Sequence, residues 1–212
     1  MRKLAVRLSY GRHNNGIIGK LNPNNAEKNR YEDNFCVPGL QAYFEHWNAS
    51  EFVIRDGHIP DNVKGMHKAY YLKANMFQEL AKLDYDKVVF FDNDIQVVDW
   101  NFNLWELPTL SGPKAGYKKI FNKDIGLNYG LVVFDRDTIK QFAEFNPNQF
   151  DEYETWKSVY KIGYDEYILL SHINASGNLP NFINNIVKSC YECFDKKEKP
   201  PKFIHWIGKA WL

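Results

Sequence analysis

The stretch Val88-Val89-Phe90-Phe91-Asp92-Asn93-Asp94-Ile95-Gln96-Val97-Val98 governs how the rest of this sequence is interpreted. An unbroken apolar run rich in Val and Phe predicts a strand buried on both faces, as in a parallel sheet covered by helices. The two aspartates cannot belong to the core, because a buried carboxylate without a partner costs too much free energy. We therefore expect them at the carboxyl end of the strand, where open α/β sheets bind ligands.

Two carboxylates this close together repel each other unless a positive group lies between them. A divalent cation can fill that role, and oxygen ligands of this kind suit Mn²⁺ or Mg²⁺. Asp92 and Asp94 are therefore candidate metal ligands. Taken alone, the Asp-x-Asp pattern is equally consistent with a strand that is followed by an acidic turn.

The composition is that of an ordinary globular protein, with 44% hydrophobic and 25% charged residues over 212 positions. This length suits one domain, or at most two. A net charge of +1 provides no field that would recruit nucleic acid or an anionic membrane. No apolar run approaches the roughly 20 residues of a membrane span, and the N-terminal pattern predicts a first strand, not a signal peptide. We therefore expect a soluble, cytoplasmic protein without a membrane span or a nucleic-acid partner.

The three cysteines, Cys36, Cys190 and Cys193, are an odd number in a chain without a secretory signal, which argues against a disulfide framework. Cys190-x-x-Cys193 is half of a zinc motif, and no second pair completes it. We expect ordinary reduced thiols.

The order of the remaining patterns indicates a βαβαβ beginning, which is typical of a doubly wound sheet. The predicted elements are a strand over 4–10, a helix over 31–47, a strand over 52–54 and a long helix over 66–83. The expected buried side of the first helix consists of Phe35, Leu40, Tyr43, Phe44 and Trp47. After the Asp-x-Asp strand we predict a strand over 127–134, a helix over 137–145 and a helix that starts near 163.

A loop directly after the first strand of an α/β domain is where a nucleotide usually lies. This topology makes Ser9 and Tyr10 candidates for contacting the base. The sequence has no Gly-x-Gly-x-x-Gly motif and no Walker-type lysine, so we do not expect a glycine cradle to hold the phosphates.

Three further features accompany the Asp-x-Asp strand in a fixed order. They are Asn128-Tyr129-Gly130 before an apolar strand, Asp165-Glu166 before Leu169-Leu170, and His205-x-x-Gly208-Lys209-x-Trp211 at the end. In this order they resemble the family 8 glycosyltransferases, the group of glycogenin and the bacterial lipooligosaccharide galactosyltransferases. The whole chain also looks like the N-terminal domain of a multidomain glycosyltransferase from a large algal virus, which implies further domains in a longer protein.

The resemblance implies a GT-A fold, an α/β fold whose mixed, mostly parallel central sheet is flanked by helices. It implies one domain over 1–212, with a nucleotide-binding half at 1–99 and, at 100–212, a half that binds sugar and acceptor and carries the C-terminal metal motif. The implied activity is transfer, with retention, of a hexosyl or deoxyhexosyl group from a UDP-sugar donor to a glycan or protein-linked sugar acceptor. The implied cofactor is Mn²⁺, or else Mg²⁺.

Carried over by position, the resemblance also implies a set of site residues. The metal ligands would be Asp92, Asp94 and His205, and Asp165 would lie beside the reacting centre, where either it or its neighbour Glu166 could act as the catalytic carboxylate. The donor would be bound by Lys73 (with Lys68 as its rival), Asn93, Asn128, Gly208 and Lys209. A carboxylate beside the reacting carbon can stabilise an oxocarbenium-like transition state or orient the acceptor hydroxyl.

Several of these residues also have a simpler interpretation. His205 could be a surface histidine near a strand, and Asp165 could be an acid that only stabilises a helix start through the helix dipole. Lys68 and Lys73 could lie on the solvated side of a helix.

Three departures from the family pattern keep the function open. Glu166 stands in place of the usual Gln, Tyr129 in place of a small residue and Ala210 in place of Pro. The first two are expected to line the sugar pocket, so the sugar stays unidentified. Two alternative functions remain: a non-catalytic module that binds a nucleotide sugar, and a HAD-type phosphohydrolase in which the first aspartate is a nucleophile.

Overall fold

The computed structural model describes residues 1–9, 32–55, 57–59, 61, 63, 67–115, 123–144, 164–190 and 200–206. Its strands are β1 (Lys3–Leu8), β2 (Ala49–Ile54), β3 (Lys87–Phe91), β4 (Ile95–Val97), β5 (Ser111–Gly112), β6 (Leu131–Asp135), β7 (Asn181–Phe182), β8 (Val187–Ser189) and β9 (Phe203–His205). Its helices are α1 (Val37–His46), α2 (His67–Ala74), α3 (Met76–Leu80), α4 (Arg136–Ala143) and α5 (Tyr164–Ser176). None of these helices combines the length and the apolar character that crossing a bilayer requires.

The central sheet has six strands in the order β2-β1-β3-β6-β5-β7. β1 pairs in parallel with β2 on one side and with β3 on the other. β6 is antiparallel to both of its neighbours, β3 and β5, whereas β7 pairs in parallel with β5. Every strand of this sheet except β6 therefore points the same way, which confirms the predicted mixed, mostly parallel α/β sheet.

Strand β3 lies between two apolar layers. Val88 and Phe90 belong to one hydrophobic cluster, and Val89 and Phe91 belong to another. All four side chains are fully buried. Successive side chains of a strand point to opposite faces, so a strand that is apolar at every position requires cover on both sides. The prediction of a strand buried on both faces is confirmed.

Helix α1 corrects one predicted core residue. Leu40, Tyr43 and Phe44 are buried as expected, but Phe35 is 64% exposed. A step of four residues back from Leu40 lands on Cys36, which is 1% exposed, and not on Phe35. Phe35 lies in a π-helical turn, Glu32–Cys36, that precedes the α-helix. Cys36 and Cys190 both carry free thiols, as predicted, whereas Cys193 lies outside the described residues.

The single long helix predicted over 66–83 is two helices in the structure. Helix α2 ends at Ala74 and α3 begins at Met76. Between them, Asn75 donates both its backbone N–H (3.1 Å) and its side-chain amide (2.7 Å) to the carbonyl of Tyr71. Asparagine side chains compete in this way for backbone groups, which weakens a continuing helix.

The strand predicted over 127–134 is shorter than expected, because β6 begins only at Leu131. The helix predicted from residue 137 begins one residue earlier and is capped by Asp135, whose Oδ1 accepts a hydrogen bond from the N–H of Thr138 at 2.9 Å. Helix α5 carries Asp165 and Glu166 in its first turn, as predicted.

A second sheet, which the sequence did not predict, has three strands in the order β4-β9-β8. β9 is its central strand, antiparallel to β4 and parallel to β8. The pairing places His205 opposite Ile95, and the N–H of Trp206 donates to the carbonyl of Asp94 at 3.0 Å. This small sheet therefore brings the C-terminal part of the chain to the end of β3.

Candidate metal and donor site

The Asp92-Asn93-Asp94 turn connects β3 to β4 at the carboxyl end of β3, where the sequence predicted it. The N–H of Asp92 donates to the carbonyl of Gly130 at 2.7 Å, and the N–H of Ile95 donates to the carbonyl of Asp92 at 3.2 Å. Asp94 is 7% exposed, while Asp92 is partly open to solvent. The backbone therefore holds two carboxylates at the sheet edge in different environments.

The imidazole of His205 lies directly against these two carboxylates. Its Nε2 is 3.3 Å from Asp94 Oδ1 and 3.7 Å from Asp92 Oδ2. Each of the three residues offers one ligand atom, and these atoms all lie within 4.8 Å of one another. The interpretation of His205 as a surface histidine is wrong, because the residue is only 7% exposed.

Gly130 makes room for this imidazole. A Cβ atom at position 130 would lie 2.1 Å from His205 Cε1, so that no side chain fits there without moving the histidine. The N–H of Gly130 donates to Asn128 Oδ1 at 2.8 Å, which fixes the backbone that faces the ring. The sequence placed Gly130 at the entrance of a strand and in the Asn128-Tyr129-Gly130 feature, but its contact with a residue 75 positions away carried no local signal.

Lys73 lies on the other side of Asp92 and is buried, with 4% of its surface exposed. Its Nζ is 2.9 Å from Asp92 Oδ1 and 3.0 Å from Asp165 Oδ2. The same atom lies 4.6 Å from the ring centroids of both Phe90 and Tyr129. Burial alone would lower the pKa of Lys73, but the two carboxylates outweigh it and raise the pKa above its ordinary value.

The two lysines of the predicted helix have different surroundings. Lys73 contacts Asp92 and Asp165, which we call the acidic cluster. The interpretation of Lys73 as a solvated helix residue is wrong, because the residue is buried. Lys68 stays partly exposed at the start of α2. The two oxygens of Asp92 are shared between Lys73 and His205, so that each oxygen has its own neighbour.

Asp165 reaches the cluster from the first turn of α5 and is 4% exposed. Burial raises its pKa above the ordinary value; Lys73 opposes that rise, and the negative charge of Asp92 adds to it. Glu166, the next residue, accepts a weak hydrogen bond from Asn128 Nδ2 at 3.4 Å. The structure thus brings both predicted carboxylates and Asn128 to the same region as the metal-ligand candidates.

Tyr129 does not line an open pocket, contrary to the expectation from the sequence. It is 1% exposed and stacks on Phe77 at a centroid distance of 6.4 Å and an interplanar angle of 8°. Burial, together with the negative charges of Asp165 and Asp92, raises the pKa of its hydroxyl. Its ring belongs to the core, and it contributes to the site as one of the aromatic faces against Lys73.

Of the other predicted donor contacts, the described residues include only Ser9 and Asn93. The N–H of Ser9 donates to the carbonyl of Ile54 at 2.8 Å, which places Ser9 at the carboxyl ends of β1 and β2. Asn93 binds Arg7 and Leu8 through its side-chain amide. Arg7 was missed by the sequence reasoning, although a charged residue between the apolar neighbours Val6 and Leu8 of a predicted strand was a visible signal. Tyr10, Gly208 and Lys209 lie outside the described residues.

Comparison with known proteins identifies the fold. No protein-family model and no curated protein sequence matches this chain. A glycosyltransferase involved in the glycosylation of the major capsid of PBCV-1 is similar in structure, with a TM-score of 0.52 and 10% identity over 100% of this chain and 95% of that one. Drosophila β1,4-galactosyltransferase 7, in a complex with manganese, UDP-Gal and xylobiose, has a TM-score of 0.51 and 17% identity over 99% and 72%.

The galactosyltransferase LgtC, solved as an active-site mutant, has a TM-score of 0.52 and 15% identity over 97% of this chain and 87% of its own. The structures named here are GT-A glycosyltransferases, which confirms the predicted GT-A fold. Because the same fold can carry different functions, the activity must be argued from the site.

Proposed function

We propose that this chain is a metal-dependent glycosyltransferase, related to family 8, that moves a hexosyl or deoxyhexosyl group from a UDP-sugar to a glycan or protein-linked sugar acceptor with retention. The observation that carries the proposal is the convergence of Asp92, Asp94 and His205 at the carboxyl end of β3. Two of these residues follow a strand of the central sheet, and the third comes from β9 of the other sheet.

The donor set fits a divalent cation. Carboxylate oxygens suit Mn²⁺ and Mg²⁺, and the additional imidazole favours the transition metal Mn²⁺ over the strictly oxygen-seeking Mg²⁺. We assign Asp92, Asp94 and His205 as its ligands. A cation bound there would neutralise the negative charge that grows on a departing nucleoside diphosphate.

The remaining residues of the site have roles that follow from their own contacts. Lys73 holds Asp92 through Oδ1 and leaves Oδ2 on the side of His205, so it orients a metal ligand. Asp165 and Glu166 place two carboxylates beside the site, where one can stabilise a positively charged sugar ring. Asn128 connects Glu166 to the backbone of Gly130, because its Nδ2 donates to Glu166 and its Oδ1 accepts from the N–H of Gly130.

Donor binding completes the proposal. Ser9 and Tyr10 follow β1 in sequence, and Asn93 lies in the turn after β3 at the same edge of the sheet. We assign all three to the nucleotide, Asn93 through its backbone because its side-chain amide is bound to Arg7 and Leu8. Gly208 and Lys209 follow β9 by a few residues in sequence, and we assign them to the diphosphate because a lysine ammonium can pair with its negative charge.

A non-catalytic module that binds a nucleotide sugar is the second candidate. The observation that favours it is that Asp165 is buried and engaged by Lys73, so that its carboxylate is not openly available to a substrate. The HAD-type phosphohydrolase is disfavoured because Asp92, the carboxylate that would have to act as nucleophile, follows the third strand of the chain, whereas that layout usually begins near the N-terminus.

One assay separates these functions. The protein is mixed with Mn²⁺ and a panel of UDP-sugars, with and without glycan acceptors, and release of UDP is followed. Release of UDP supports a transferase, binding of UDP without turnover supports the module, and orthophosphate from phosphomonoesters supports the phosphatase.

The metal assignment has its own test. We expect Asp94→Ala to abolish Mn²⁺-dependent binding of UDP while the far-UV circular dichroism spectrum stays unchanged. Asp124→Ala is the matched control, because Asp124 is an exposed carboxylate that pairs with Lys114 on the surface. Unchanged affinity for UDP in Mn²⁺ after Asp94→Ala would remove the metal site from the proposal.

A further inference from the structure

Arg7 is a buried charged residue that the proposed chemistry does not use. It occupies the penultimate position of β1 and is 5% exposed. Its side chain emerges on the same face of the sheet as that of Ala5, two residues earlier, which packs against the cluster containing Leu40 and Phe44 of α1. A buried guanidinium is costly unless its donors and its charge are matched by partners. The partners of Arg7 therefore indicate why the residue is there.

The guanidinium of Arg7 joins β2 to the turn that carries the metal-ligand candidates. Its Nε donates to Glu51 Oε1 at 2.6 Å, and its Nη1 donates to Asn93 Oδ1 at 2.8 Å. Asn93 is the residue between Asp92 and Asp94. One rigid, planar fork thus connects an acid 44 residues away with an amide 86 residues away.

The amide nitrogen of Asn93 is hydrogen-bonded as well as its oxygen. Its Nδ2 donates to the carbonyl of Leu8 at 2.5 Å, so both polar groups of this amide are bound to residues of β1. The central residue of the turn is therefore fastened to the neighbouring strand. Rotation of the turn about its own backbone would break both hydrogen bonds at once.

Glu51 supplies the charge balance. It lies on β2, and its second oxygen, Oε2, accepts a weak hydrogen bond from Gln41 Nε2 at 3.5 Å. A positive charge beside a cation site would weaken cation binding, but the charge of Arg7 is matched by the carboxylate of Glu51 at hydrogen-bond distance. Arg7 can therefore position the turn without opposing the ion.

From this network we propose that Arg7 is a positioning residue for the metal site, acting through Asn93 on the geometry of Asp92 and Asp94. The inference rests on the proposed metal site. Removing a group that hydrogen-bonds to the residues around a metal and so orients its ligands typically weakens metal affinity by 10–100-fold. Arg7 is predicted to set the affinity for the cation without touching it.

The test is titration of the purified protein with Mn²⁺ alone, with free Mn²⁺ followed by electron paramagnetic resonance. We expect Arg7→Met to weaken Mn²⁺ binding by about tenfold or more. Arg2→Met is the matched control, because Arg2 pairs with Asp84 and Asp86 just before β3 begins, at the opposite end of that strand. It should leave Mn²⁺ affinity unchanged, while thermal unfolding is recorded for both variants.

A double-mutant cycle tests whether Arg7 affects Mn²⁺ binding through Asn93. If Arg7 acts through that amide, Arg7→Met combined with Asn93→Ala should weaken Mn²⁺ binding no more than the stronger single variant does. Additive losses would overturn this route, and a folded Arg7→Met protein with Mn²⁺ affinity within twofold of wild type would overturn the positioning role. If Arg7→Met does not fold, Arg7→Lys makes the same test, because a single ammonium does not reproduce the planar fork.

Failure of the metal site itself gives a different result. In that case the wild-type protein shows no Mn²⁺ binding that Asp94→Ala removes, and no variant of Arg7 changes the titration. If only the role of Arg7 is wrong, the wild-type protein binds Mn²⁺ through Asp94 and Arg7→Met binds it equally well.

Discussion

Lys73 is the single residue whose removal should cost the most stability at the site. Its ammonium separates the carboxylates of Asp92 and Asp165 and lies against two aromatic rings. Lys73→Met leaves the buried carboxylate of Asp165 without its cation, and breaking a buried ion pair from one side costs about 3–5 kcal/mol. We expect a loss of that size in the free energy of unfolding, measured with urea at pH 7.

The matched control for Lys73→Met is Lys82→Met. Lys82 pairs with Glu79 on the surface, with 67% of its side chain exposed, so its removal should cost less than about 0.5 kcal/mol. Adding Asp165→Asn to Lys73→Met should recover part of the lost stability, because the second change removes the unpaired charge. Equal losses for the two lysine variants would show that the buried cluster does not stabilise the fold.

At Gly130, the addition of a single methyl group is expected to remove metal binding without unfolding the protein. In Gly130→Ala the new Cβ would lie 2.1 Å from His205 Cε1, so the imidazole must leave its position. We expect loss of Mn²⁺ binding with the overall fold retained, measured by titration and circular dichroism.

The control for Gly130→Ala is Gly39→Ala, since a Cβ at position 39 meets no atom within 4 Å. Gly39 lies in α1, where alanine is favoured over glycine, so that variant should gain about 0.5–1 kcal/mol in stability. Its Mn²⁺ affinity should match that of the wild type. A Gly130→Ala protein that binds Mn²⁺ normally would show that His205 does not need its present position.

At the scale of elements, α5 is held in place partly by a buried histidine. His172 is 5% exposed, stacks on Phe142 of α4 at 4.6 Å and contacts Phe77 of α3 at 5.5 Å. Burial lowers the pKa of His172 to about 4. An unfolded chain would protonate this imidazole near pH 6.5, so between pH 6.5 and 4 the unfolded state binds more protons than the folded state.

We therefore expect stability to fall as the pH drops through that window, by up to about 3 kcal/mol from this residue alone. His172→Phe keeps the aromatic packing and removes the proton, so the difference in unfolding free energy between the variant and the wild type should grow from pH 7 to pH 4. His46→Gln, at an exposed position, is the control. A pH-independent difference for His172→Phe would mean that this imidazole is accessible to protons in the folded state.

How well the sequence predicts the structure differs from one element to another. β3 could be predicted because burial on both faces leaves an unbroken apolar run, and α5 could be predicted because acids favour the first turn of a helix. The break at Asn75 could not, because the apolar period continues across it and only a side-chain hydrogen bond interrupts the helix. β8 and β9, three residues each, are too short for their own pattern and depend on partners far away in the chain.

The site shows the same division. Asp92 and Asp94 are visible in sequence because two charges interrupt an apolar run, and His205 was reached only through resemblance to a family. The contacts of Arg7 could not be predicted, since its partners Glu51 and Asn93 are identified only by the parallel pairing of β1 with β2 and β3. Local patterns thus predict elements and end points of strands, while contacts between distant segments require the fold.

For the whole molecule, the proposed cation would connect parts of the chain that lie far apart in sequence. Two of its ligands follow β3 in the central sheet, and the third ends β9 in the small sheet. A ligand that binds only the folded state stabilises it by RT ln(1 + [L]/Kd), about 2.7 kcal/mol at a concentration 100 times Kd. For a chain of 212 residues, this corresponds to a rise in Tm of roughly 5–10 °C.

We expect Mn²⁺ to raise the Tm of the wild-type protein by that amount in a thermal unfolding scan, and to leave the Tm of His205→Ala almost unchanged. The reason is that loss of the imidazole weakens binding to the folded state, while Asp92 and Asp94, two residues apart in sequence, can bind an ion in the unfolded chain as well, so little difference in affinity remains. Trp206→Phe is the control, because Trp206 follows the ligand and donates from its ring to Gln96 at 2.9 Å without being a ligand itself. An equal rise in Tm for the wild type and for His205→Ala would place the ion away from β9, and the small sheet would then have no part in metal binding.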